Sequence, residues 1–475
     1  MFTTIANLDL TTTQPVVFGA AVDENNTQIE SLLPGAEIDA AYKAVTVLPT
    51  YGKHAFSQLY VLGLGARSEL TVTKLRQLFG RFAQMIKGDF TIELDHFVTS
   101  TITLREVAVI FAETMIIARY EFKKHGNFTA KFSQLSGHVV ASENVQLELA
   151  QGEALGQAIN HARTLSNEPG NKMTPRDLAK YAKKLADKYG MEHHILKTSD
   201  LLNMQANALL AVNRGSDEPA RMIVLKYQGL ETWENPTALV GKGLTFDAGG
   251  YSLKISGSMQ GMKHDMTGAA NVLGAIEAIA HMGVKANVLV VIPATENLIN
   301  GQALKVDDVI GSLAGKTIEV NNTDAEGRLI LADGIEYARQ LGATRIIDMA
   351  TLTGACVVAL GSAMTGAFSN NDQFMSSLAQ AAKQADEKVW RLPLDEAYTE
   401  QVRSSKVADL INSPSREGGA SIAAAFLQEF AVDTPWIHLD IAGTGDTKSA
   451  SDLGPAGATG VMVRTLTQLF LNEEV

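Results

Sequence analysis

Val288-Leu289-Val290-Val291-Ile292 is apolar at every position. A strand with one wet face alternates apolar and polar residues. An unbroken apolar run belongs to a strand covered on both sides, as in the interior of a parallel sheet. Working outward, Gly268 to Met282 reads as a helix of mostly small residues, and Met222 to Tyr227 and Ala238 to Val240 read as strands. On the other side, Thr317 to Val320 is a short strand. Leu331, Ile335 and Ala338 then form the i, i+4, i+7 stripe of a helix that stops near Gly342. Arg345 to Met349 is the next strand, Ala423 to Phe430 a helix, and Trp436 to Ile441 a last strand. This repeated β-α-β order predicts an α/β fold, with a mostly parallel sheet, helices on both faces, and a site at the strands' carboxyl ends.

The first part of the chain alternates in the same way. Val16-Val17-Phe18, Tyr60 to Leu64, Phe90 to Val98, Val139-Val140 and Val145 to Leu149 read as strands. Leu75 to Ile86 and Leu104 to Tyr120 read as helices. Gly152 to Leu165 is a further helix, leading into the turn cluster Asn167-Glu168-Pro169-Gly170-Asn171. Thr174-Pro175 starts another, with proline in its first turn. The expected organisation is two domains, each a mixed or mostly parallel sheet flanked by helices. Residues 1–150 form an N-terminal α/β domain of unassigned role, 151–170 a helical linker, and 171–475 a second, larger domain.

Composition narrows the class. The formal net charge is −12, which argues against a nucleic-acid surface spread over the molecule and suits a soluble cytoplasmic protein. Cys356 is the only cysteine, so intramolecular disulfides and a cysteine-rich zinc site are excluded. Flanked by Val357-Val358, it reads as a small buried apolar residue. Met1 to Ile5 lacks the basic and apolar regions of a signal peptide. The longest apolar stretch, Val107 to Ala118, is too short to cross a membrane. His54, His96, His125 and His138 are scattered, and the pair His193-His194 lacks partners at ligand spacing.

Chemistry concentrates in two stretches. In Asn322-Thr323-Asp324-Ala325-Glu326-Gly327-Arg328-Leu329, an extended backbone would turn Asp324, Glu326 and Arg328 to one side. The same letters fit a capping box, Thr323-x-x-Glu326, at a helix start. Upstream, Lys242 stands where an apolar strand ends and Asp247 enters the turn Ala248-Gly249-Gly250. Lys254 follows, then Lys263-His264-Asp265. Two readings stand side by side. One is a salt-bridged surface among these lysines and acids. The other is a cleft in which Asp247, Asp265, Asp324 and Glu326 converge and need two divalent cations to offset their charge. On ligand type zinc, manganese or magnesium would suit, with Asp265 a better ligand than His264. Gly311 to Thr317 looks like a phosphate loop, but has three residues between its glycines where four are required.

Asn322 to Leu329 resembles the signature octapeptide of the leucyl aminopeptidase family, which includes peptidase B. Val240 to Gly250, Asp348 to Gly354 and His438 to Gly443 are similar to other segments of that family, and the resemblance covers roughly residues 160 to 475. It implies a metal-dependent aminopeptidase that cleaves the N-terminal peptide bond by a hydroxide bridging two metals, Zn²⁺ or Mn²⁺. Asp247, Asp324 and Glu326 would bind one ion, and Lys242, Asp247, Asp265 and Glu326 the other. Lys254 would polarise the scissile carbonyl, Arg328 would hold a bicarbonate ion, and Thr351, Leu352 and Gly354 would contact substrate. It further implies a homohexamer acting on peptides with a free N-terminus. His264 and Thr267 depart from the family's smaller residues beside Asp265, and Lys305-Val306 from its usual Pro-Gly. A two-metal phosphoesterase and an added DNA-binding role are the alternative readings of the same residues.

Overall fold

The computed structural model describes residues 1–133, 135–255 and 257–473. The chain divides into two compact units, one of residues 1–160 with 449–456, the other of 161–448 with 457–475. The division falls inside the helix Gln146–Asn167.

The first unit holds a six-stranded sheet in the order Phe2–Ile5, Gly137–Val140, Phe90–Glu93, Val16–Ala21, Gln58–Gly65, Val45–Pro49. All neighbours are parallel except the last pair. Two expectations shift here. Phe90 to Val98 is a strand only to Glu93 and then tightens into a 3₁₀ turn. Val145 to Leu149 is not a strand but the start of the long helix. Val145 and Leu149 are both buried at i, i+4 spacing, and the Leu149 N–H donates to the Val145 carbonyl.

In the second unit the central strands lie side by side as Trp436–Asp440, Arg345–Ala350, Thr237–Gly241 and Asn287–Asn297, all parallel. Arg221–Gln228 and Glu192–Leu196 extend the sheet antiparallel on one side, and Thr365–Ser369 and Val389–Arg391 complete it on the other. Alternate residues of the central strands enter two separate cores. Leu239, Val290, Ile347 and Ile437 meet the helices Pro175–Tyr189 and Thr267–Met282 on one face. Val240, Val291, Ile346 and Trp436 meet Glu326–Gln340 and Gly419–Ala431 on the other. Burial on both faces is why these strands read as unbroken apolar runs. His193 and His194 lie on the edge strand, the latter beside Glu192. The stretch Gly311 to Thr317 joins two antiparallel strands as a hairpin, and Lys316 pairs with Glu429.

Gly268, in the first turn of its helix, approaches the carboxyl end of the strand Arg345–Ala350. A Cβ there would lie 2.1 Å from the Met349 carbonyl oxygen. Gly268→Ala should therefore cost about 1–3 kcal/mol of stability as helix and strand are pushed apart. A urea midpoint equal to that of the unsubstituted protein would contradict this packing.

Candidate metal centre and active site

The strand that begins at Thr237 is interrupted at Lys242 and resumes as Gly243–Asp247, still parallel to Asn287–Asn297. At the break the Lys242 N–H donates to the Met349 carbonyl and its own carbonyl accepts from Ala269. The residue is only 2% exposed. Its Nζ lies 2.9 Å from Asp265 and 3.1 Å from Glu326, and donates to the Thr351 carbonyl at 3.0 Å. A side chain at Gly327 would place its Cβ 2.7 Å from this Nζ, so only glycine lets the lysine lie against the helix.

Asp247 ends the resumed strand. Its Oδ1 accepts from the Gly249 N–H at 2.8 Å and from Asn297 Nδ2 at 2.9 Å, and its Oδ2 lies 2.7 Å from Lys254 Nζ. Lys254 also reaches Asp324 Oδ1 at 2.6 Å. Asp265 sits in the 3₁₀ turn Met262–Met266, and Thr351 Oγ1 donates to it at 2.7 Å. Asp247, Asp265 and Glu326 each offer an oxygen within 4.8 Å of the others. Segments some eighty positions apart thus meet, and the cluster is buried rather than a salt-bridged surface. Lys263 stays outside it, donating to the Asn167 carbonyl.

Two local expectations are corrected. The helix Glu326–Gln340 already contains Glu326 and Arg328, so Asp324, Glu326 and Arg328 do not line one side of an extended chain. Nor does a capping box form. Ala325 is the N-cap, and Thr323 Oγ1 donates instead to the Gly249 carbonyl at 2.7 Å. The carboxylate that would have capped the helix faces Lys242. Arg328 Nη1 donates to the Asn412 carbonyl at 2.6 Å, while its buried Nε has no hydrogen-bond partner among the described residues. Thr351, Leu352 and Gly354 follow the strand Arg345–Ala350. The Leu352 N–H donates to Asp440 Oδ1 at 3.2 Å, and Thr353 Oγ1 to Oδ2 at 2.7 Å. A cavity of about 840 Å³ opens over these groups, lined also by Met262, His264 and Leu253. His264 itself bonds Ser166 Oγ at 3.1 Å. Asn297, Asn412 and Asp440 escaped sequence reasoning. Each works by a hydrogen bond across the fold, and only the placement of Asn297 and Asp440 at strand ends could have drawn attention to them.

Electrostatics marks the cluster as unbalanced. Four carboxylates face two lysines. Burial and the nearby Asp247 push the Glu326 carboxyl up to about 8, and burial also raises Asp265 and Asp324. Burial works against the Lys242 and Lys254 ammonium groups, but the surrounding acids outweigh it and hold both pKa values above the ordinary lysine value. Glu326 Oε2 is buried with no hydrogen-bond partner among the described residues. A buried lone pair in an oxygen-rich donor set is what a divalent cation satisfies, so these residues fit a metal.

Residues 160–467 match the catalytic-domain model of the cytosol aminopeptidase family, and residues 7–125 its N-terminal-domain model. The chain belongs to the cytosol aminopeptidase family. It is 47% identical over 450 residues to a probable cytosol aminopeptidase of Bacillus licheniformis, covering 93% of this chain and 91% of the relative. Among solved structures it is similar to the bottromycin maturation enzyme BotP in complex with Mn, with a TM-score of 0.88 and 31% identity over 98% of this chain and 100% of the other. It is also similar to the cytosol aminopeptidase of Coxiella burnetii, with a TM-score of 0.85 and 28% identity over 100% of this chain and 99% of that one. The protein is a metal-dependent aminopeptidase. Among the described residues no helix is long and apolar enough to cross a membrane.

The raised Glu326 pKa has a signed consequence for the metal-free aminopeptidase. Below its ordinary pKa of 4.5 the carboxyl is protonated in folded and unfolded chains alike. Between 4.5 and about 8 the unfolded chain releases the proton more readily, so the fold loses stability as pH rises. In chelator, Glu326→Gln should gain stability over the unsubstituted protein, with a gain that grows from about pH 5 to about pH 8. Urea midpoints at the two pH values measure it, and a pH-independent difference would contradict the assignment.

Proposed function

We propose that the enzyme removes N-terminal residues from peptides with a pair of divalent ions, manganese or zinc, held by Lys242, Asp247, Asp265, Asp324 and Glu326. The observation that carries this reading is the convergence of Asp247, Asp265 and Glu326, which each offer an oxygen within 4.8 Å of the others, together with a buried Glu326 Oε2 that has no hydrogen-bond partner among the described residues. Asp247, Asp324 with its backbone carbonyl, and Glu326 would hold one ion. Lys242, Asp247, Asp265 and Glu326 would hold the other, so that Asp247 and Glu326 are shared. As a ligand Lys242 must be neutral, and two divalent charges beside it favour loss of its proton. When bound, such ions offset the carboxylate charge, activate water for attack, and bind the peptide's free amine and first carbonyl oxygen.

The chain's own groups supply the rest. Lys254, 15% exposed at its side chain, keeps its ammonium at the cavity wall, where it stabilises charge developing on the carbonyl oxygen. Thr351, Leu352 and Gly354 contact the substrate backbone or first side chain. The unpartnered Arg328 Nε supports a bicarbonate ion there, which would supply proton transfer. A blocked N-terminus loses its anchor, which makes the activity exopeptidase. The family resemblance supports a cytoplasmic homohexamer, and the manganese complex of the BotP neighbour supports manganese as a working ion.

Hydrolysis of leucine p-nitroanilide with added Mn²⁺ or Zn²⁺ tests the reading, and loss of activity in chelator should be reversed by metal. Absence of activity with every metal and aminoacyl group would overturn it. Glu326→Gln should abolish turnover with the fold intact, and retained activity would remove Glu326 from its shared position. Lys254→Met should lower kcat about 10²–10³-fold with little change in KM.

A further inference from the structure

One buried ionisable pair takes no part in the chemistry above. Asp348 and His438 are both 0% exposed and stand directly opposite each other in the parallel register of their two strands. His438 Nδ1 lies 2.6 Å from Asp348 Oδ1, and Trp436 Nε1 donates to Asp348 Oδ2 at 2.6 Å. The imidazole stacks between Trp436 and Phe368. Burial disfavours its charged form, but Asp348 outweighs burial and raises its pKa. A buried, hydrogen-bonded ionisable pair within a sheet is no better for stability than well-packed apolar side chains, so its presence asks for another explanation.

The register supplies one. Two residues beyond this pair, Ala350 stands opposite Asp440. Asp440 takes the Leu352 N–H and the Thr353 hydroxyl, and so fixes the loop that leaves the strand. Within that loop Thr351 donates its hydroxyl to Asp265 and offers its carbonyl to Lys242. We propose that Asp348 and His438 are positioning residues. They lock the two strands in the one register that sets Asp440 under the Thr351 loop, and through Thr351 they hold Lys242 and Asp265 in place. In a parallel pair a slip by one residue would turn every side chain to the other face. The inference rests on the reading that Lys242 and Asp265 hold metal.

The test uses the full-length protein carrying Asp348→Asn with His438→Gln, beside Asp265→Asn. Titration of the chelator-treated proteins with Mn²⁺ alone by calorimetry should show one of two binding events weakened at least tenfold in the double variant. At saturating Mn²⁺ its kcat should fall at least tenfold with KM changed less than twofold, while circular dichroism shows a folded protein. A folded double variant with unaltered Mn²⁺ affinity and kcat overturns the inference. Undiminished Mn²⁺ binding by Asp265→Asn would instead overturn the metal-site reading beneath it. Should the double variant not fold, Trp436→Phe removes one bond to Asp348 and keeps the pair. It should weaken the same binding event about threefold, and unaltered binding there overturns the inference.

Discussion

In the metal-free protein the arrangement of the site depends on an ammonium group held in the interior. Lys242 is carried into the protein by a strand that breaks for one residue, and it stays there because Asp265 and Glu326 flank it and a backbone carbonyl takes its remaining proton. Removing the lysine would leave two buried acids without their cation, a far larger penalty than losing a surface pair. Around this lysine the other groups are arranged by necessity. Glu326 cannot cap its helix because it is needed here, and the helix begins on Ala325 without a side-chain cap.

The sheet provides the geometry. Lys242, Asp247, Asn297, Thr351 and Asp440 all stand at or just beyond the carboxyl ends of neighbouring parallel strands. Parallel order brings those ends to one edge, and covering both faces with helices leaves that edge as the place where polar groups can collect. The double burial that makes the strands legible as apolar runs therefore also leaves their ends as the place where the polar groups of the site gather.

Much of this was legible in the sequence. The β-α-β alternation of the second unit and the helix carrying Leu331, Ile335 and Ala338 follow from periodicity, and the burial of Cys356 from its apolar neighbours. Asp247, Asp265 and Glu326 stood out because acids beside glycines and a lysine are unusual in an apolar frame. What misled was local. Val145 and Leu149 look like part of a short strand, yet their spacing is equally that of one helical turn. Thr323 and Glu326 have the letters of a capping box, but their side chains are claimed by the Gly249 carbonyl and Lys242 from across the fold. The roles of Asn412 and Asp440 were illegible for the same reason. A hydrogen bond to a segment nearly ninety positions away leaves no trace in the residues alongside.

Thr351 touches two things at once. Its hydroxyl and carbonyl engage Asp265 and Lys242, while the residues after it form a wall of the cavity. On the proposed metal site, occupancy of the cavity by peptide and of the carboxylate cluster by ions would then be linked thermodynamically. Whatever factor a peptide gains in affinity from bound ions, the ions gain equally from the bound peptide. On the proposed metal site, such an enzyme would hold its ions more tightly with peptide bound than without, so its metal content would track the supply of substrate as well as the supply of metal.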